Sequence, residues 1–189
     1  MWLDRVETTL RALPPTTRSR SAIEQTRRCR DLTVCVRALE REIRIIMRKL
    51  TPELLALPGC SALSAAHLVG QVAGASRFSG EAAFATYVGT APLPVSSGKS
   101  TRHRLNRCGN RRLNSTIHMI AVTQARMHPP AIVFMERKRA EGMSTREALR
   151  CLKRHITRTV FKTMRRAEQA RACRVLRLEC GADPLAVAV

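Results

Sequence analysis

The chain has 189 residues, with 34 lysines and arginines against 14 aspartates and glutamates, which gives a formal net charge of +20. Hydrophobic residues make up 44% of the sequence, enough to build a core, so the chain is not a disordered basic tail. Aromatic residues make up only 3%, which argues against a single-strand binder that stacks many bases on aromatic rings. The charge instead favours contacts with a phosphodiester backbone.

The N-terminus and the cysteines argue against further classes of protein. Charged residues interrupt the first thirteen positions, and no apolar run approaches the roughly 18 residues of a membrane-spanning helix. The seven cysteines are odd in number and include no C-x-x-C pair. We therefore expect a cytoplasmic protein with buried, reduced thiols, no membrane contact and no metal site within this chain.

An apolar seam with heptad spacing dominates the first fifty residues. Its members are Cys29, Leu32, Val36, Leu39, Ile43, Ile46 and Leu50. This spacing is typical of a coiled-coil helix. A second seam from Leu3 to Leu13, stopped by Pro14 and Pro15, is too short to cover the longer one. We predict a coiled-coil arm over residues 1–50 that folds back as a helical hairpin and forms a homo-oligomer.

The rest of the chain predicts a mainly α fold. Residues 51–168 are expected to form a compact helical domain, followed at 169–189 by the end of a basic helix and a frayed tail. Asn110 is a predicted helix cap, and Ser144 with Glu147 forms a capping box that opens the last long helix. The turn at Pro58-Gly59 is similar to a helix-hairpin-helix turn, whose backbone N–H groups contact phosphate, although such turns also occur in proteins that bind nothing.

The segment 88–109 predicts a long basic loop. It contains three glycines and two prolines and shows no sustained periodicity. No acidic residue lies between Glu81 and Glu136, so the cations of this region have no local counter-charge. With the Pro58-Gly59 turn, the predicted DNA- or RNA-binding residues are Gly98, Lys99, Arg102, Arg104, Arg107, Asn110, Arg111 and Arg112. A second basic set lies along the last helix: Arg146, Arg150, Arg154, Arg158, Lys162 and Arg166.

Ser96 and Ser97, beside Gly98 and Lys99, are candidate nucleophiles. A serine hydroxyl can attack a phosphodiester when neighbouring cations stabilise the charge that develops. The same residues are also ordinary turn chemistry. The residues alone leave both interpretations open.

Several motifs, taken in order, resemble the C-terminal domain of bacterial insertion-sequence transposases of the IS110 type. They are Leu57-Pro58-Gly59, Arg77-Phe78, Phe84 to Pro92, Ser96-Ser97-Gly98, Arg102 to Leu105 and Gly109 to Asn114. The resemblance covers about residues 50 to 166. It implies a nucleoid-associated recombinase that is guided by a structured RNA and forms a covalent phosphoserine link with DNA. The family serine precedes the glycine, which corresponds to Ser97, with Ser96 as the second candidate.

The chain departs from this family pattern in one respect. Family members begin with a RuvC-like domain whose four acidic residues bind Mg²⁺, and no such domain stands before the coiled coil in this sequence. We therefore expect a truncated transposase that binds nucleic acid but does not cleave it alone. The alternative is a non-catalytic, basic nucleic-acid-binding coiled-coil dimer, a regulator or remnant.

Overall fold

A computed structural model describes residues 2–97, 100–104, 106 and 108–179. Within these residues the fold is mainly α, as predicted, with eight helices and one two-stranded sheet. The helices are α1 (Trp2–Arg11), α2 (Thr17–Leu50), α3 (Pro52–Leu55), α4 (Ala62–Val72), α5 (Glu81–Val88), α6 (Arg111–Met127), α7 (Pro129–Ala140) and α8 (Thr145–Glu179). The strands are β1 (Leu93–Ser97) and β2 (Ser100–Arg104). None of the described helices is both long and apolar enough to cross a bilayer.

The chain divides into two compact units, residues 1–46 and 47–189. We call the first the arm and the second the domain. The predicted three-part division at 50/51 and 168/169 stays a prediction, although α8 runs without interruption past residue 168. Residues 180–189, which include the predicted frayed tail, lie outside the described residues.

In the arm, ion pairs join α1 to the first half of α2. The carboxylate of Glu7 accepts hydrogen bonds from Arg27 at 3.1 Å and from Arg30 at 2.6 Å, both on α2. Arg11, one turn further along α1, contacts the same carboxylate at 2.6 Å. The Pro14-Pro15 break therefore separates two helices that fold back on each other, as a helical hairpin requires.

The long seam of α2 remains uncovered. Leu32, Val36 and Leu39 are each more than half exposed, and Ile46 is 51% exposed. Helix α2 begins at Thr17, twelve positions before the first residue of the seam, so the helix is longer than the heptad pattern alone predicted. The coiled coil of this seam with a partner helix stays a prediction.

The domain has an apolar core built from α3, α4, α5, α6 and α8. Its fully buried members include Leu54, Leu68, Phe84, Leu113, Ile117, Ile120 and Val160. Side-chain caps begin two of these helices at the predicted places. Asn110 Oδ1 accepts from the backbone N–H groups of Arg112 and Leu113, and Ser144 exchanges hydrogen bonds with Glu147.

The predicted long basic loop over residues 88–109 contains a two-stranded hairpin in its middle part. Strands β1 and β2 pair antiparallel in register, from Leu93 opposite Arg104 to Ser97 opposite Ser100. Each strand has only one neighbour, so Pro94 can lack an N–H donor without breaking the ladder. The hairpin has no clear apolar alternation, which is why the sequence pattern did not indicate it.

The prediction of buried thiols is also wrong for most of the described cysteines. Cys60 is buried, and its burial raises the pKa of the thiol to about 11. The exposed free cysteines are Cys29, Cys35, Cys108 and Cys173. These side chains lie on exposed helix faces or beside the hairpin rather than in the core of the domain.

Candidate nucleic-acid interface

The two candidate nucleophiles lie at the end of β1, next to the turn of the hairpin. Ser97 is the last residue of β1 and pairs with Ser100, while Ser96 pairs with Thr101. Arg102 and Arg104 lie on β2, and for all four predicted site residues the structure describes the backbone position only. Gly98, Lys99 and Arg107 lie outside the described residues.

Two glycines cross at the base of this hairpin. A Cβ atom built on Gly109 would lie 2.3 Å from the Cα of Gly89, closer than real Cβ atoms come to other heavy atoms. Gly89 itself has a φ of 77°, in the left-handed region that favours glycine, and it ends α5. The segments that lead into and out of the hairpin therefore meet at a glycine–glycine contact that has no room for a side chain.

Three asparagines then satisfy the free carbonyl groups at the end of α5. A helix leaves its last four carbonyls without helical partners. Asn106 Nδ2 donates to Thr86 O at 3.4 Å, and the backbone N–H of Asn110 donates to Tyr87 O at 2.7 Å. Asn114 Nδ2 donates to Val88 O at 3.1 Å and to Gly89 O at 2.8 Å. We call these three asparagines, with the glycine crossing, the hairpin clamp.

Helix α8 makes two polar contacts at the base of the hairpin. Lys153 Nζ donates to Asn114 Oδ1 at 2.5 Å, and this lysine is only 8% exposed. Thr90 Oγ1 donates to the fully buried Thr157 at 3.0 Å. Burial, and secondarily the charge of Arg150, lowers the pKa of the Lys153 ammonium. The hairpin is thus anchored on three helices, α5, α6 and α8.

The start of α6 presents two predicted cations next to the clamp. Arg111 and Arg112 occupy its first turn and are exposed, at the end where the helix dipole is positive. The side chain of Asn110 caps α6, as predicted, and also donates to Gln71 Oε1 at 3.1 Å. Those contacts give Asn110 a structural role, and its contact with nucleic acid stays a prediction.

The Pro58-Gly59 turn packs against α6. A Cβ atom on Gly59 would lie 3.1 Å from both Ile120 O and the Cβ of Thr123, and the φ of Gly59 is 75°. Gln124 Nε2 donates to Pro58 O at 2.7 Å. Close packing therefore explains the glycine, while the predicted phosphate contact of a helix-hairpin-helix turn stays a prediction.

The basic set of α8 is divided by one acidic residue. Glu81, in the first turn of α5, pairs with Arg158 at 2.8 Å and with Lys162 at 3.2 Å, and its carbonyl accepts from Arg154 at 3.4 Å. Arg146, Arg150 and Arg166 are exposed, and the described contacts include no carboxylate for them. The middle of this basic set is therefore partly neutralised, and its contact with nucleic acid stays a prediction.

Sequence reasoning missed the residues that hold the hairpin. Asn106, Asn114, Thr157 and Lys153 were not among the predicted site residues, because each acts on a segment far away in the sequence. Only one signal pointed toward them, since Asn106, Asn110 and Asn114 recur every four positions. That recurrence would have suggested three asparagines acting together.

Motif residues outside the hairpin form one aromatic cluster. Phe78 contacts Phe84 and Tyr87, each with ring centroids 5.2 Å apart, and the Arg77 guanidinium lies over both Phe78 and Tyr87. These contacts fix the start of α5 relative to the preceding turn. The role of this motif in the described structure is therefore packing.

The domain is similar to known proteins. The model described as the Transposase IS116/IS110/IS902 family matches residues 52–136. A protein of Streptomyces coelicolor, described as an uncharacterized 43.6 kDa protein of insertion element IS110, is 32% identical over 132 residues. That alignment covers 68% of this chain and 33% of the relative, so the chain spans about a third of the relative's length. The chain therefore carries a domain of the IS116/IS110/IS902 transposase family, which confirms the resemblance found in its sequence motifs.

Proposed function

We propose that the chain is the DNA-binding part of an insertion-sequence transposase in which a serine of the β1–β2 hairpin attacks a DNA phosphodiester. One observation carries this proposal. The family match over residues 52–136 includes both serines together with the clamp at the base of their hairpin. A clamped stem restricts where a nucleophile can go, and such positioning supplies much of the rate of enzymatic group transfer.

In the proposed step the Oγ atom of Ser97 attacks the phosphorus, with Ser96 as the second candidate. A serine–phosphorus ester bond forms and one P–O bond of the DNA backbone breaks. The hydroxyl proton of the serine passes to a base in solution, and the released DNA oxygen takes up a proton. Cations of the hairpin would stabilise the charge on the phosphate oxygens: Lys99, Arg102, Arg104 and Arg107.

Magnesium, in this proposal, is bound by residues that are not in this chain. Among the described residues, no group of three or more His, Cys, Asp or Glu side chains could hold a metal ion. The described residues therefore do not fit a magnesium site, and we assign no step of the reaction to the ion here. We propose that a RuvC-like domain supplies it and that the chain alone binds DNA without cutting it.

The proposal includes two further partners. A structured guide RNA would contact the same kind of basic surface as DNA, because both present phosphodiester groups. A second copy of the chain would cover the exposed seam of α2, since an uncovered heptad seam is a surface on which another helix can pack.

A DNA adduct assay tests the proposed nucleophile. The full chain is combined with a separately purified RuvC-like domain of a relative, Mg²⁺, guide RNA and end-labelled DNA, and adducts are resolved on a denaturing gel. We expect an adduct with the wild-type chain and none with Ser97→Ala. Ser100→Ala, which changes the residue opposite in β2, is the matched control and should retain the adduct.

The other outcomes separate the alternatives. All variants should bind DNA equally, so loss of the adduct alone would identify the nucleophile. If Ser96→Ala abolishes the adduct and Ser97→Ala does not, Ser96 is the nucleophile. If DNA binds but no variant forms an adduct, the chain is a non-catalytic nucleic-acid-binding protein.

A further inference from the structure

Lys153 is an unusual residue in the domain because it is buried without a carboxylate partner. Its ammonium donates to a neutral amide oxygen, Asn114 Oδ1. Within the part of the chain that the structure describes, no acidic side chain contacts it. Burying a charge is expensive unless a counter-charge or a full set of hydrogen bonds compensates it. In the free protein the Lys153 ammonium therefore lacks a counter-charge that would compensate its burial.

The surroundings of Lys153 add positive charge rather than removing it. Arg150 lies one turn earlier on α8, and His118 lies one turn after Asn114 on α6; both are exposed. Partial desolvation and the nearby Lys153 ammonium lower the pKa of His118. Two cations thus lie together, Arg150 exposed and Lys153 buried, with the imidazole of His118 beside them.

Neither helix carries an acidic residue within one turn of Asn114 or Lys153. Helix α6 lies inside the interval from Glu81 to Glu136 that contains no acidic residue, and α8 contains none between Glu147 and Glu168. Elsewhere in the domain basic residues do receive acids, since Arg137 and Lys138 at the end of α7 both contact Glu141. The stretches of α6 and α8 next to Lys153 therefore carry no acidic residue of their own.

We infer that Lys153, His118 and Arg150 form a site for one phosphate group of a bound nucleic acid, next to the clamp of the serine hairpin. The inference rests on the proposed function and deepens it by naming a contact outside the hairpin. A phosphodiester supplies the negative charge and the acceptor oxygens that the ammonium lacks. Its location beside Asn114 would hold the DNA backbone against the base of the hairpin.

A pair of lysine variants with equal charge change tests the site. Lys153→Met removes the uncompensated cation, and Lys138→Met removes one that already has an acidic partner. Binding of a short end-labelled duplex is measured by anisotropy as a function of salt. Loss of one phosphate contact makes the slope of log K against log salt shallower by about 0.9. The affinity gained when the salt is lowered from 1 M to 0.1 M is then about eightfold smaller.

We expect this loss of slope for Lys153→Met and not for Lys138→Met. A structural role alone predicts a lower melting temperature of Lys153→Met with an unchanged salt slope. Equal slopes for the two variants, or a destabilised Lys153→Met that binds normally, would overturn the inference. Should Lys153→Met fail to fold, exposed Arg150→Gln against exposed Arg137→Gln makes the same comparison.

Inorganic phosphate separates failure of the site from failure of the proposed function. The ring signals of His118 are followed by NMR while phosphate is added to the wild-type chain and to Lys153→Met. Movement in the wild type only supports the site, even if the chain binds no DNA, in which case the proposed function alone fails. No movement in the wild type, with an unchanged salt slope in Lys153→Met, contradicts the site while leaving DNA binding elsewhere intact.

Discussion

The arm over residues 2–46 and the described part of the domain differ in the side chains that they expose. In the arm Leu32 and Leu39 are exposed by more than half, and Glu7 receives Arg11, Arg27 and Arg30. In the domain the large apolar side chains are mostly buried, whereas exposed cations such as Arg111 of α6 and Arg150 of α8 have no carboxylate among the described contacts.

The difference indicates what each unit needs from a partner. An exposed apolar seam gains free energy by packing against another apolar surface, so the arm is suited to a second helix. An uncompensated basic surface gains free energy from phosphate groups, so the domain is suited to nucleic acid.

The largest expected effect comes from filling the glycine crossing of the domain. Gly109→Ala puts a Cβ atom into backbone atoms of Gly89, so we expect a loss of about 3 kcal/mol in the free energy of unfolding. Gly70→Ala is the control, because Gly70 is exposed in α4 with open space around it and should gain about 0.5–1 kcal/mol. Urea denaturation measures both. A Gly109→Ala protein as stable as the wild type would show that the clamp is not rigid.

The second effect concerns the seam of the arm. Leu39→Glu places a carboxylate within the heptad seam, so self-association should weaken by about a hundredfold or more, because burying an unpaired charge costs several kcal/mol. Val34→Glu is the matched control, since Val34 is also exposed but lies outside the seam. Sedimentation velocity compares them. A wild-type chain that remains monomeric at high concentration would contradict the role assigned to the seam.

A smaller effect concerns the paired charges of the arm and depends on pH. Hydrogen bonding from Arg30, followed by Arg27 and the charge of Arg11, lowers the pKa of Glu7 below its ordinary value of 4.5. A lowered carboxylate pKa contributes stability that is complete above the ordinary value and is lost as the pH falls through the lowered one. We therefore expect α1 to remain docked on α2 at neutral pH and to detach in acid.

Fluorescence anisotropy of Trp2, the single tryptophan, reports this detachment. Glu7→Gln should release α1 already at neutral pH and remove the acid transition, whereas Glu24→Gln, an exposed change in α2, should leave it in place. An acid transition that persists in Glu7→Gln would mean that other groups hold the two helices together.

Much of the fold could be predicted because helices leave local signals. The cap at Asn110, the capping box at Ser144 and the break at Pro14-Pro15 lie next to the residues whose backbone they affect. The hairpin and its clamp could not be predicted in the same way. Asn114 and Lys153 meet across 39 positions, and the close contact of Gly89 with Gly109 follows only from the folded path. The serines were found through family motifs, because two serines in a short strand resemble ordinary turn residues.

Salt dependence of DNA binding by the unmodified chain tests the central claim most directly. If the uncompensated cations of the domain bind the phosphodiester backbone, log K falls linearly with log salt, with about 0.9 of slope for each phosphate contacted, and several contacts give a slope of several units. Binding should be similar for unrelated duplex sequences. A chain that binds no DNA at low salt, or whose affinity does not change with salt, would contradict the account.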